Sequence, residues 1–120
     1  MVWAPIPGYE GLYEVSDQGV VRSRDRCVGA RAGSFAVRRG RTLRPVCKGG
    51  RYLAVSLTRE GGKRQVFVHD LVLLAFVGPK PKGLQACHHN DVKHDNTLGN
   101  LRYDTPKANV ADAYRNGRRR

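Results

Sequence analysis

The stretch CHHNDVKHDNTLGNLRYDTPKANVADAYRNG, Cys87 to Gly117, decides how the rest of the chain is read. It opens on the end of a segment, Leu84 to His88, that suits a strand. The polar run from Asn90 to Gly99 is then a loop, and Leu101-Arg102-Tyr103 a return strand. Thr105-Pro106 supplies an N-cap and a first-turn proline for a helix that can bury Ala108, Ala111, Ala113 and Tyr114 and that Gly117 ends. Strand, loop, strand and helix can bring three polar groups to one side: His88 at a strand end, Asn100 before the return strand, and Asn109 one turn into the helix. Phosphodiester hydrolysis needs such a set. An imidazole takes a proton from water, a cation neutralises charge on the phosphate, and oxygen ligands hold that cation.

Upstream, the period changes. From His69 to Val77, the residues Leu71, Val72, Leu74, Ala75 and Phe76 fill one broad face of a short helix, which Gly78, Pro79 and Pro81 terminate. Tyr52 to Thr58 alternates, with Leu53, Val55 and Leu57 against Ala54, Ser56 and Thr58, and Gly61-Gly62 turns it into Gln65 to Val68 as a hairpin. Leu12 to Ser16 and Val20 to Ser23 form a second hairpin around Asp17-Gln18-Gly19. Between the two, Arg22 to Arg51 carries ten Lys or Arg against one acid, Asp25, and shows no sustained period. It is expected as a mobile basic loop with at most one strand around Thr42 to Val46.

Charge narrows the partner. The 120 residues hold 22 Lys and Arg against 10 Asp and Glu, a formal net charge of +12. Such a field repels itself in the compact state and suits a polyanion, nucleic acid above all; acidic substrates and neutral partner surfaces are disfavoured. No run of apolar residues is long enough to span a bilayer, and MVWAPIPGYEG lacks the basic head and apolar core of a signal peptide. A cytoplasmic protein with no membrane partner is expected. Cys27, Cys47 and Cys87 form no C-x-x-C pair, so neither a zinc ribbon nor a disulfide framework is read, and reduced thiols are expected. Cys27 and Cys47 read as small semi-buried residues.

The block from Cys87 resembles the HNH nucleases with a ββα-metal core, in the branch common in bacteriophages and mobile introns. VFVHDLVLLAFVGPKPKG before it resembles the helix that branch carries upstream. Trp3 to Ser23, WAPIPGYEGLYEVSDQGVVRS, is similar to the nuclease-associated modular (NUMOD-type) motif often fused to these enzymes and linked with DNA binding. The resemblance implies His88 as the general base and Asn100 as the residue that pins the loop and orients the His88 segment. It implies Asn109 as an oxygen ligand of a divalent cation, with Mg²⁺ as the default and Mn²⁺ as a substitute. The products implied are a 5′-phosphate and a 3′-hydroxyl.

One position departs from the pattern. The family often has a metal-holding aspartate before the catalytic histidine, and here Cys87 stands in the metal position. A thiol is a poor Mg²⁺ ligand. Either the ion rests on Asn109, water and the phosphate, or His89, Asp91 or Asp104 moves in, or a softer ion is used. A register slip of one would make His89 the base and His88 the ligand; otherwise His89 points to solvent. His69 is a capping or packing residue, or a phosphate contact. His94 is solvated, and Asp95 and Asn96 tie down the loop. Trp3, Tyr9 and Tyr13 belong to the core or stack on bases.

The reading is therefore an α+β protein in two parts. Residues 1–60 form a small β-hairpin module whose basic loop grips DNA, the phosphate contacts being Arg38, Arg39, Arg41, Lys48 and Arg51. Residues 61–120 form the ββα-metal nuclease core. A monomer nicks double-stranded DNA, and a weak dimer can break both strands. The rival readings are a non-catalytic DNA-binding protein that keeps the fold and a basic RNA-binding protein, which leaves the His-Asn-Asn block unexplained.

Overall fold

The structure is a computed structural model that describes residues 1–29, 35–49 and 51–116. Strands β1 (Trp3–Pro5), β2 (Tyr13–Ser16) and β3 (Val21–Ser23) form an antiparallel sheet in that order. The expected hairpin is its β2–β3 half, with Val15 opposite Val21. β1 adds an edge, its Trp3 paired with Ser16.

The basic segment differs from a loop. β4 (Arg26–Gly29) and β5 (Phe35–Arg38) pair as an antiparallel hairpin, and β6 (Val46–Lys48) joins β7 (Tyr52–Arg59). Ladder hydrogen bonds need only backbone, so a stretch without apolar alternation can still pair. Its residues 30–34 and 50 lie outside the described residues, as do Gly117 and the C-terminal arginines.

β7 and β8 (Gly62–Phe67) make the expected second hairpin, with Val55 opposite Val66. β8 is the exposed edge of this sheet and carries Lys63 and Arg64, charges that discourage pairing with another chain. The chain then enters helix α1 (Val68–Phe76), which buries Val68, His69, Leu71, Val72 and Leu73. Gly78, at φ +133°, turns the chain out of the helix, and its N–H donates to Leu73 O at 2.9 Å.

β9 (Gln85–His88) and β10 (Leu101–Asp104) pair antiparallel, placing His88 opposite Leu101 and Cys87 opposite Arg102. A single 3-10 turn, Leu98–Asn100, leads into β10. Helix α2 (Pro106–Arg115) follows, capped by Thr105, whose hydroxyl accepts from Ala108 N at 3.2 Å. Its buried face is not the alanine face the sequence suggests. Ala113 and the carboxylate of Asp112 are buried, whereas Ala111 and Tyr114 are exposed.

One core joins these parts. Ile6, Val15 and Val21 meet Val55 and Leu57 of β7, Val68, Leu71, Val72 and Leu73 of α1, and Leu101 of β10. Tyr9 and Tyr13 are buried with them, and the Tyr13 hydroxyl accepts from Thr58 N at 3.0 Å. Trp3 is half-buried beneath the Arg22 guanidinium, 3.7 Å from its ring centroid.

Candidate active site

His88 ends β9, where the pairing of β9 with β10 fixes its backbone, and only 2% of its surface is exposed. Its Nε2 lies 2.9 Å from Asn96 Oδ1. A carboxamide oxygen can only accept, so Nε2 carries the proton and Nδ1 keeps the lone pair of the neutral ring. Burial is the largest influence on His88 and holds its pKa below the usual 6.5, against the raising effect of Asn96. The ring is thus held in the form a general base requires.

Aromatic packing holds the ring in addition to that bond. The His69 ring meets His88 edge-on at 5.2 Å between centroids, and Tyr52 lies 6.2 Å from it. His69 is itself stacked on Phe67 at 5.3 Å, and its Nδ1 is buried without a hydrogen-bond partner among the described residues. Of the two readings of His69, packing is the one this geometry supports.

Asn100 staples the loop between β9 and β10. Its Oδ1 accepts from Asn90 N at 3.0 Å, its Nδ2 donates to Asp95 O at 2.9 Å, and its carbonyl accepts from His89 N at 2.8 Å. Asp95 continues the staple through Asn90 Nδ2 at 2.8 Å and the Thr97 hydroxyl at 2.8 Å. The bond to Thr97 is the first cause of an Asp95 pKa below the carboxylate value.

A second network lies on the other side of the strand pair. The buried Asp112 carboxylate accepts from Arg102 Nη2 at 2.7 Å and from Arg115 Nη2 at 2.6 Å. Arg115 also reaches His89 O at 2.7 Å, and Asn116 Nδ2 reaches the same carbonyl at 3.0 Å. Helix α2 is therefore locked to the backbone one residue past His88. His89 itself is exposed. Sequence reasoning missed Asp112: Arg115 is its i,i+3 neighbour on α2, but its other partner, Arg102, comes from β10, and its burial depends on how α2 packs on β9.

The candidate metal ligands are less complete. Asn109 is half-buried on α2, the helix that packs on β9, and its carboxamide oxygen is a hard donor suited to a divalent cation. Cys87 does not suit one. It is buried, its Sγ lies 3.6 Å from Gln85 O, and burial pushes its pKa above the usual 9.0, so it is a protonated thiol. Asp104 is bound to Arg102 at 2.8 Å and Asp91 to Lys93 at 2.7 Å. Among the described residues no group of three or more His, Cys, Asp or Glu forms a metal cluster.

The basic residues are presented to solvent. Arg39, Arg41, Lys48 and Arg51 are exposed, and Arg41 joins Arg22 and Arg24 around an open polar cleft of about 450 Å³. The backbone of Arg38 ends β5, while its side chain lies outside the described residues. Cys47, expected to be semi-buried, is exposed on β6, 3.4 Å from the exposed His94. β6 is a three-residue strand at the edge of its sheet, and all three of its residues are exposed. Among the described residues no helix is long and apolar enough to cross a membrane.

Comparison with known proteins finds a family match in each part of the chain. Residues 1–69 match the NUMOD4 motif family, and residues 66–111 match the HNH endonuclease family. The chain is 33% identical over 118 residues to DNA endonuclease I-HmuI of Bacillus phage SP01, an alignment covering 98% of this chain and 60% of that protein. It is also similar, at a TM-score of 0.76 and 31% identity, to a solved structure described as "DNA binding and cleavage by the HNH homing endonuclease I-HmuI". That likeness covers all of this chain and 62% of the other, so the chain spans about three-fifths of the length of the relative it matches.

Proposed function

The chain belongs to the HNH endonuclease family and carries a NUMOD4 motif in its N-terminal part, and on that premise we propose that it hydrolyses phosphodiester bonds of double-stranded DNA, one strand per active site. The observation that carries this reading is the buried neutral imidazole of His88, bound at Nε2 and with its lone pair at Nδ1, at the strand end of a ββα unit. His88 accepts a proton from the attacking water through Nδ1. Asn96 and the rings of His69 and Tyr52 keep that nitrogen aimed, and Asn100 fixes the loop around it.

Asn109, together with oxygens of the scissile phosphate, would hold a divalent cation, Mg²⁺ or Mn²⁺. When bound, such an ion neutralises charge developing on the phosphate. Cys87 is left out of this set. Residues 61–120 do the cutting and residues 1–60 the gripping, in a cytoplasm that holds the DNA. The known activity of I-HmuI, a DNA endonuclease, supports this reading of the shared segment.

The product chemistry is the test. A nick left by this reaction carries a 5′-phosphate and a 3′-hydroxyl, so DNA ligase alone should reseal nicked plasmid after the protein is removed. Product that ligase seals only after kinase treatment, or never, would contradict the assigned attack. The gripping surface has its own measurement. If six phosphates are neutralised by residues such as Arg39, Arg41, Lys48 and Arg51, log K for duplex DNA should fall against log salt with a slope of about −5. A slope near zero removes the basic segment from the interface.

Cys87 favours a second reading, a DNA-binding protein that keeps the fold without the activity. DNA bound tightly and left intact, with either metal, is the result that would establish it.

A further inference from the structure

The N-terminal sheet does more than adjoin the catalytic loop. Gly19, at the tip of the β2–β3 hairpin, lies flush against Asn96: a Cβ placed on Gly19 would sit 2.9 Å from both the Cβ and the carbonyl oxygen of Asn96. One residue pair further on, Leu98 N donates to Asp17 O at 2.8 Å. Leu98 opens the 3-10 turn that carries Asn100 into place. Two contacts from one turn thus bracket the segment from Asn96 to Leu98, and Asn96 is the hydrogen-bond partner of the His88 ring.

The turn is built to be stiff. The buried Ser16 hydroxyl accepts from Gln18 N at 3.2 Å and from Val20 N at 3.1 Å. Asp17 is tied to the chain start, its N–H donating to Val2 O at 2.9 Å and its Oδ1 accepting from Val2 N at 3.0 Å. Gly19 has φ +81°, a conformation that a glycine adopts without strain.

We infer that the Asp17–Gly19 turn is a positioning element for the catalytic histidine, acting through Asn96. The module assigned to gripping DNA is then also the back wall of the cutting site, and the two parts cannot be exchanged independently. This inference rests on the nuclease reading, and its consequences can be read apart from it. Asn96 sits at 4% exposure with an unpartnered Nδ2, so nothing else among the described residues holds that amide nitrogen, and the close approach of Gly19 limits where the side chain can go.

The molecule contains a matched control. Gly11 has φ +80°, and a Cβ there would meet nothing within 4 Å. Gly11→Ala and Gly19→Ala both place a side chain on a residue with φ near +80°, and only the second pushes on Asn96. Two quantities are measured in the full chain: the imidazole Nε2–H resonance of His88 in ¹H–¹⁵N spectra, and the rate of plasmid cutting at saturating protein beside the Kd for the same DNA. Gly19→Ala should weaken or lose the His88 Nε2–H resonance and cut between about tenfold and a hundredfold more slowly, with Kd unchanged. Gly11→Ala should keep the resonance and the rate.

Equal behaviour of the two variants in both measurements overturns the inference while leaving the nuclease reading intact. A wild type that binds and never cuts overturns the nuclease reading, and the resonance alone then decides whether the turn holds His88. Should Gly19→Ala fail to fold, Ser16→Ala loosens the same turn without adding an atom. Loss of the His88 resonance in that variant supports the inference, and an unaltered resonance and rate oppose it.

Discussion

His88→Ala should lower the rate of strand cutting by about 10²- to 10⁴-fold, the range that a positioned general base contributes. DNA affinity should change little, since the ring is buried and the exposed arginines lie elsewhere. The loss belongs in the rate at saturation, because the proton is transferred only in the transition state. Single-turnover cutting of supercoiled plasmid beside a filter-binding isotherm separates the two. The pH profile adds a sign. His88 has its pKa lowered, first by burial, so the rate should stay level from about pH 8 down to the ordinary imidazole value of 6.5 and fall only below it. Undiminished cutting by His88→Ala would move the base to His89 or to no residue of this loop.

Asp112→Ala should be the costliest single truncation to alanine in α2. The carboxylate is nearly inaccessible and holds two guanidinium groups, so its removal strips Arg102 and Arg115 of a shared partner. Breaking such a pair costs about 3 kcal/mol, the low end of the range because both arginines still reach solvent. The melting temperature should drop by about 10 °C.

Burial acts to raise the Asp112 pKa, and the bonds from Arg102 and Arg115 more than offset it, leaving it below the usual 3.8. The folded-state pKa is thus depressed. The stability it supplies is fully present above 3.8 and is lost as pH falls through the folded value. Wild type and Asp112→Ala should therefore differ in melting temperature at pH 7 and converge in strong acid. A difference unchanged at low pH would mean that the charge is not what Asp112 contributes.

Much of this was legible in the sequence, for identifiable reasons. The alternation of Leu53, Val55 and Leu57 gave away β7, and the apolar face from Leu71 to Phe76 gave away α1, because burial imposes its period on residue type. Thr105-Pro106 marked the start of α2 through capping chemistry that is local to the chain. The β4–β5 hairpin was not legible, since a basic, glycine-rich segment leaves no such pattern.

The spacing of His88, Asn100 and Asn109 pointed to a ββα unit. It did not reveal Asn96 as the partner of the His88 ring, which depends on how the loop folds back. Nor could it reveal that Gly19 closes on Asn96, a contact between segments far apart in the chain. The state of Cys87 needed its burial, which residue type alone does not give.

The most direct test of the whole account is the fate of supercoiled plasmid incubated with the wild-type protein and Mg²⁺ or Mn²⁺, with and without chelator. Relaxation to the open circle in the presence of metal, and none with chelator, is the predicted result. Plasmid that stays supercoiled under every metal condition while shifted by bound protein would contradict it.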